Sequence, residues 1–548
     1  MQSPFARGSL PRAALAVCLI VLAACTKIGA PAGGGRHPWT QPDTLRIATS
    51  TAPNTLNPIL STEEAEVQFE ALVFDPLVTV DEHGRDVPVL ASEVPTLENG
   101  GISRDGRTIT YHLRHNVRWQ DGAPFTSRDV AFSYSAIMNP ATLVVTRHGY
   151  DQIARVDTPD QYTAVFRLKR PFAPAVNTFF GPSDAPYFIL PAHLLEHYHD
   201  LNRVPFDAAP VGTGPFKVAR WLRGDRVEYV ANDDYFLGKP KLRRIVFAIV
   251  PDENTISSEV KAHEVDWFYA ATPRVYPQLA SADGVAVHLV PLNAYYSMLF
   301  NNARAPFDDA GVRRAIALAI DKPQLVREAT FGTTVAATED LPSSMWAFNP
   351  QAGTTKRDLP RANALLDAAG WKRGADGIRV KDGKRFAVVL SYRNDSVTDR
   401  NVAVELAAML KDAGVEASLK SYTTSLLYGP PGTGIQADGK YDVSLQTWYA
   451  GADPDDSSQL TCDQVAPKGY DWTRYCDRAM DAAQQIALSH YDRPTRKRAY
   501  ATIEALLARD NPEVYLWWPR QIEAVNTDLK GFRPNGVAED WNAYQWSI

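Results

Sequence analysis

The chain has 548 residues, 45% of them apolar and 22% charged, and a net charge of −6 at pH 7. These are ordinary values for a water-soluble globular protein, and the length implies two or three domains. The mildly acidic balance excludes the clustered basic surface that a nucleic-acid partner needs.

The first predicted element is a leader. Arg7 and Arg12 precede an apolar run over 13–24 that ends in Leu22-Ala23-Ala24-Cys25. A positive start, a short apolar stretch and small residues before a cut site predict a secretory signal peptide over 1–24. The run is about half as long as a bilayer span requires. A cysteine directly after small residues resembles the bacterial lipobox, which implies lipidation of Cys25 and removal of what precedes it. Residues 25–42, rich in Gly and Pro after the cysteine, read as a flexible tether. Beyond the leader no stretch reaches the apolar length of a membrane helix. The expected location is therefore the periplasm or cell surface, with the protein tied to the membrane by lipid.

Next come segments that alternate as strands do, at 44–50, 108–114, 162–168 and 226–230. The later half changes character. Apolar residues fall at helical spacing over 312–320, 361–369, 403–413 and 496–507. Gly370 and Gly414 end two of these helices at the C′ position. Short strands at 386–392 and 441–446 follow helices, and the alternation predicts α/β layering. No internal repeat of roughly 20–50 residues is present, which argues against a solenoid or propeller.

Four cysteines are present. Cys18 lies in the leader and Cys25 would carry lipid, which leaves Cys462 and Cys476. An even pair in an oxidising compartment predicts a disulfide. Closing a loop of about 15 residues contributes roughly 3 kcal/mol on the chain-entropy estimate. Half of a zinc site would instead want CxxC spacing and a nearby His.

Catalytic and metal motifs are wanting. Gly429-Pro-Pro-Gly-Thr-Gly434 resembles a phosphate loop, but Ile435 and Gln436 stand where Lys and Ser/Thr would meet phosphate and Mg²⁺. It reads as a surface loop. His193 and His197 share a helix face at metal-pair spacing, yet the Glu between them is misplaced for HExxH, so they read as solvated. There is no GxSxG elbow. Neither an enzyme, a cofactor nor a metal site is expected.

The strongest constellation is a string of phrases along the whole chain. Thr55-Leu-Asn-Pro58 is followed by Trp119-Gln-Asp-Gly-Ala-Pro-Phe-Thr126 and Val211-Gly-Thr-Gly-Pro-Phe-Lys217. Phe300-Asn-Asn302, Ala364-Leu-Leu-Asp-Ala-Ala-Gly-Trp371 and Trp448 with Ala452-Asp-Pro454 complete it. Each has a local meaning. Asp121-Gly122 is a hairpin turn signal, and Thr126 with Asp129 fits a helix cap. Gly212 and Gly214 would supply open backbone angles for a tight turn. In order and spacing the set resembles family 5 of the bacterial solute-binding proteins, the peptide- and nickel-binding proteins of ABC importers, over roughly residues 43 to 545.

That resemblance implies a two-lobed periplasmic-binding-protein fold of type II with a hinge of two crossing strands. Lobe I would take 43–292 and 515–548, with an extra strand-rich subdomain over 76–180, and lobe II 293–514. The crossings would fall near 292–300 and 512–517. The implied role is a monomeric receptor that encloses a peptide and hands it to ABC permease subunits. A nickel chelate, an oligosaccharide or an opine-like compound is the alternative ligand. In peptide-binding members an aspartate after the lobe II Trp pairs with the ligand's α-ammonium. The matching phrase is Trp448-Tyr-Ala-Gly-Ala-Asp-Pro-Asp-Asp456, which implies Asp453. Two extra residues in this stretch leave Asp455 and Asp456 as rivals. An Arg three before the Trp is replaced here by Leu445, so Arg393 becomes the candidate for the ligand's carboxylate. Trp448 and Tyr449 are the expected aromatics of the site.

Overall fold

Two β-sheets organise the chain, and the strands that leave one enter the other within two residues. The computed structural model describes residues 36–61, 64–353 and 356–548, so the leader and Cys25 lie outside the described residues. The chain divides into the units Met1–Thr40 and Gln41–Ile548, and the fold described below belongs to the second.

Among the described residues, the larger sheet has seven strands. Their order is Val285–Pro291, Arg520–Asn526, Trp267–Ala271, Thr44–Thr49, Arg244–Ile249, Arg226–Ala231 and Phe216–Leu222. Thr44–Thr49 is its centre and runs parallel to both neighbours. The second sheet has six strands, in the order Val335–Ala336, Glu513–Trp518, Ala294–Phe300, Val443–Tyr449, Ala387–Arg393 and Glu416–Tyr422. Helices cover these sheets, which is the mixed α/β, two-lobed architecture expected. The extra subdomain is strand-rich, with the hairpin Val78–Val80 to Asp86–Pro88 and a three-stranded sheet of Thr108–His112, Thr163–Leu168 and Ile153–Asp160.

The crossings differ from expectation by a few residues. Ala294–Phe300 pairs along its whole length with Val443–Tyr449, and Glu513–Trp518 pairs with it on the other side. Both strands therefore belong to lobe II. The passages between lobes are Leu292-Asn293 and Pro519, and the Leu292 N–H donates to the Pro519 carbonyl at 3.2 Å. Every residue of Ala294–Phe300 and of Glu513–Trp518 is buried. A central strand covered on both faces has no solvent side, which explains the continuous apolar lettering Ala-Tyr-Tyr-Ser-Met-Leu-Phe.

The predicted elements form where their spacing put them, with ends that shift by a few residues. The helix expected at 403–413 runs Val397–Asp412, capped by Ser396 accepting from the Asp399 N–H at 3.1 Å. The helix expected at 496–507 runs Arg493–Asp510, with Asp492 as its cap and left-handed Asn511 as its end. The extra turns are polar, so hydrophobic periodicity could not mark them.

The family phrases are clasps between distant segments. Gln120 of the Trp119–Thr126 phrase donates to the carbonyls of Gly214 at 3.2 Å and Phe216 at 2.7 Å, and accepts from the Gly212 N–H at 3.2 Å. Gly212 and Gly214 are not in the left-handed region, contrary to the expectation of open angles. They are glycine because the backbone of Val73 lies against them. A Cβ on Gly212 would sit 1.9 Å from the Val73 carbonyl oxygen. Asn302 likewise donates to the carbonyls of Thr473 at 2.9 Å and Pro512 at 3.2 Å. The Thr126 N–H donates to Asp129 at 2.8 Å, as the capping phrase predicts.

Candidate functional site

The carboxyl ends of strands Ala387–Arg393 and Val443–Tyr449 point toward the passage between the lobes, the usual place for a ligand in such sheets. The loop that follows Tyr449 meets lobe I directly. The Ala452 N–H donates to the Pro182 carbonyl at 2.7 Å. The Asp455 carboxylate faces His148 of lobe I at 3.5 Å. A second seam joins Ala173 N–H to the Leu488 carbonyl at 2.7 Å, and the Tyr491 hydroxyl to the Gly106 carbonyl at 2.9 Å. Beside these contacts a cavity of about 590 Å³ lies between the lobes, lined by Thr146, His148 and Gln152 on one side and Ser458, Tyr470 and Gln484 on the other. Ligand pockets commonly hold about 300–1,000 Å³.

Tyr470, which lines this cavity, belongs to an aromatic cluster at the end of strand Val443–Tyr449. Trp448 lies 5.4 Å from Tyr470 and 6.2 Å from Trp472, and Tyr428 stacks on Trp472 at 6.0 Å. Cys462 and Cys476 form a disulfide, and the loop they close carries Tyr470 and Trp472. Tyr449 is 42% exposed at the end of its strand. Trp448 was expected from its phrase. Tyr470 and Trp472 were not, although two aromatics inside a disulfide-closed loop are a usable signal.

The three aspartates of the Trp448 phrase have different partners. Asp453, expected to meet an ammonium, has both oxygens taken by Arg496 at 2.6 and 2.7 Å. Both side chains are buried, and the Arg496 guanidinium also faces the Trp346 ring at 5.1 Å. The pair closes the loop onto helix Arg493–Asp510 within lobe II, so Asp453 already holds a cation of its own chain. Asp456 accepts from Gln484 at 2.6 Å. Burial and the neighbouring Asp340 hold its carboxyl well above the usual range. Asp455 alone faces the other lobe. Burial would raise it, but His148 and Ser457 bring it below the ordinary value. Burial works against protonation of His148 as well, yet Asp455 outweighs it and pushes the imidazole up to about 9.

A fourth carboxylate, Asp184, joins this pair from lobe I. It is exposed to solvent and makes no ion pair among the described residues. The lobe seam thus holds two carboxylates against one imidazole. Nothing in Gly181-Pro-Ser-Asp184 announces this in the sequence. Arg393 is anchored by Asp399 through two bonds of 2.9 and 3.0 Å, with Tyr428 5.9 Å away. Its Nη1 edge makes no hydrogen bond among the described residues, and its side chain is 27% exposed. The guanidinium is therefore held in place with donors to spare. His193 bonds Asp121 at 2.8 Å. No cluster suited to a metal ion is found among the described residues.

Residues 87–468 match the bacterial extracellular solute-binding proteins, family 5 Middle. The chain belongs to that family. The oligopeptide-binding protein AppA of Bacillus subtilis (strain 168) is 25% identical over 545 residues, 97% of each chain. The nickel-binding periplasmic protein of Escherichia coli (strain K12) is 27% identical over 425 residues, 75% of this chain and 77% of that one. Among solved structures, NikZ from Campylobacter jejuni in complex with Ni(L-His) superposes with a TM-score of 0.79 at 26% identity, covering 93% of this chain and all of that one. The fold of a family 5 receptor, two lobes over a central site, is thereby established for this protein. Among the described residues no helix is long and apolar enough to cross a membrane.

Proposed function

We propose that this protein is the extracytoplasmic receptor of an ABC importer, that it encloses a peptide between its lobes, and that Cys25 carries the lipid that holds it at the membrane. It works as a monomer without cofactor and without catalysis, and delivers its ligand to the permease. The observation that carries the reading is the cavity of about 590 Å³ between two lobes joined only by Leu292-Asn293 and Pro519. Asp455, 3.5 Å from the cavity-lining His148, and Asp184 offer negative charge from opposite lobes at the seam for an α-ammonium, and charge-assisted bonds of this kind are the strong ones. The spare edge of Arg393 suits the ligand's carboxylate, and Trp448, Tyr449, Tyr470 and Trp472 supply area for varied side chains. Asp453 acts through Arg496 by placing the loop. A nickel chelate is the second reading, favoured by the likeness to NikZ and to the nickel-binding protein of Escherichia coli.

The test is a thermal-shift screen of refolded protein against peptide pools, nickel chelates and oligosaccharides. A ligand at 100 times its Kd adds about 2.7 kcal/mol of stability. Peptides should raise the melting temperature, and Asp455→Asn should weaken peptide binding at least tenfold. A clear shift with another class and none with any peptide would overturn the peptide reading. Mass spectrometry of the chain recovered from membranes should find diacylglycerol on Cys25 and no residue before it.

A further inference from the structure

Lobe I contains a second pocket that the interlobe site does not use. It shares no lining residue with the interlobe cavity. Its walls are apolar and aromatic, among them Phe74, Tyr187, Trp541 and Tyr544, and it is set with two carboxylates, Asp75 and Asp540. Phe74 and Tyr187 are buried core residues, whereas Trp541 and Tyr544 keep part of their surface accessible.

The carboxylates are unusual in what surrounds them. Asp75 is 5% exposed, and each of its oxygens accepts one hydroxyl, from Thr213 and from Tyr235, both at 2.8 Å. Asp540 is 8% exposed, and its buried Oδ2 has no hydrogen-bond partner. Neither makes an ion pair among the described residues. Burial pushes Asp75 up to about 6 and Asp540 up to about 7, and Asp75 adds to the cost of ionising Asp540. Several buried side-chain oxygens lack a partner among the described residues, and Asp540 Oδ2 is the one that belongs to this pocket's lining; a buried acceptor without a donor calls for an explanation. Two carboxylates without a cation also concentrate negative charge where little water screens it.

We propose that this pocket binds a primary alkylammonium group, with the ammonium on the free oxygen of Asp540 beside Asp75 and the alkyl stem against the aromatic wall. An ammonium brings three donors and a positive charge, which answers both the unpartnered oxygen and the unpaired charge. The cavity holds about 60 Å³. At about 10–15 Å³ for each water-sized atom, that is room for some five heavy atoms. The free end of a lysine-like side chain fits this size, and a whole peptide does not. A bare divalent metal would find two carboxylates and no further ligand, with apolar walls in place of the oxygens it prefers.

The proposal stands apart from the nature of the transported ligand, and its test needs none. Calorimetric titration of the purified chain at pH 8, where both carboxylates ionise, uses n-butylammonium chloride as probe and n-butanol as its neutral counterpart. Saturable binding of the amine, at least tenfold tighter than of the alcohol and at least tenfold weaker in Asp540→Asn, is the expected result. Absence of saturable amine binding overturns the proposal, as does equal affinity for the alcohol or unchanged affinity in Asp540→Asn. The comparison of amine with alcohol is made on the unaltered chain, so it decides the matter even where Asp540→Asn fails to fold.

Discussion

Arg496 and Asp453 illustrate how a residue's role depends on what reaches it. The Asp453-Pro454 phrase was legible as a marked carboxylate after Trp448, but its partner lies on a helix that the sequence presents only as an amphipathic stretch. The ion pair is buried on both sides and bidentate. Desolvation of two such charges consumes most of their attraction, so the pair adds little net stability, yet removing one member leaves a buried charge alone. Arg496→Met should therefore cost about 3–5 kcal/mol, measured as the loss of unfolding free energy in urea. The double variant with Asp453→Asn should recover much of that loss. If the single variant unfolds within 1 kcal/mol of the parent (about the scatter of an ordinary surface change), the pair is solvated in solution and the loop is held otherwise. Asp184 and His148 belong to the residues no sequence signal reached, since each lies in an irregular loop and gains its meaning only when the other lobe arrives.

At the scale of elements the sequence was most legible where a period was visible. Strand Thr44–Thr49, helix Leu359–Ala368 and the turn at Gly122 all follow from pattern and turn chemistry. Gly212 and Gly214 were legible as special, but for the wrong reason, because close approach by a distant backbone leaves no local trace. The two causes predict different costs. Gly122 has positive φ and open space around its missing Cβ, so Gly122→Ala meets only backbone strain of about 1–2 kcal/mol. Gly212→Ala drives a methyl into the Val73 carbonyl at 1.9 Å. Main chain on both sides cannot yield as a flexible side chain can, and the loss should exceed about 3 kcal/mol, at the top of the range for overpacking. Chemical denaturation of the two variants under one protocol checks the order. Equal losses would return Gly212 to a purely conformational role.

For the whole molecule, the two-lobed plan could be read from the family phrases, while the exact passages could not. Glu513–Trp518 carries buried letters on every position and looks the same whichever lobe it joins, so only its pairing with Ala294–Phe300 assigns it. That assignment leaves Leu292-Asn293 and Pro519 as the segments that must absorb any change of angle between lobes. A ligand can favour closure only by contacts it makes in the closed form and lacks in the open one. Gly451 offers a way to set that balance from outside the binding chemistry. Its missing Cβ would lie 2.6 Å from the Ser183 Cα and 2.7 Å from the Pro182 carbonyl oxygen, both backbone atoms of the opposite lobe. The atoms nearest to an added side chain there are those of lobe I, so lobe I must back away. Gly451→Leu should thus hold the lobes apart. In small-angle scattering the variant should stay expanded with saturating ligand, and ligand affinity should fall at least tenfold. If the variant contracts on ligand binding as the parent does, the seam at Pro182 and Ala452 is not what closure brings together.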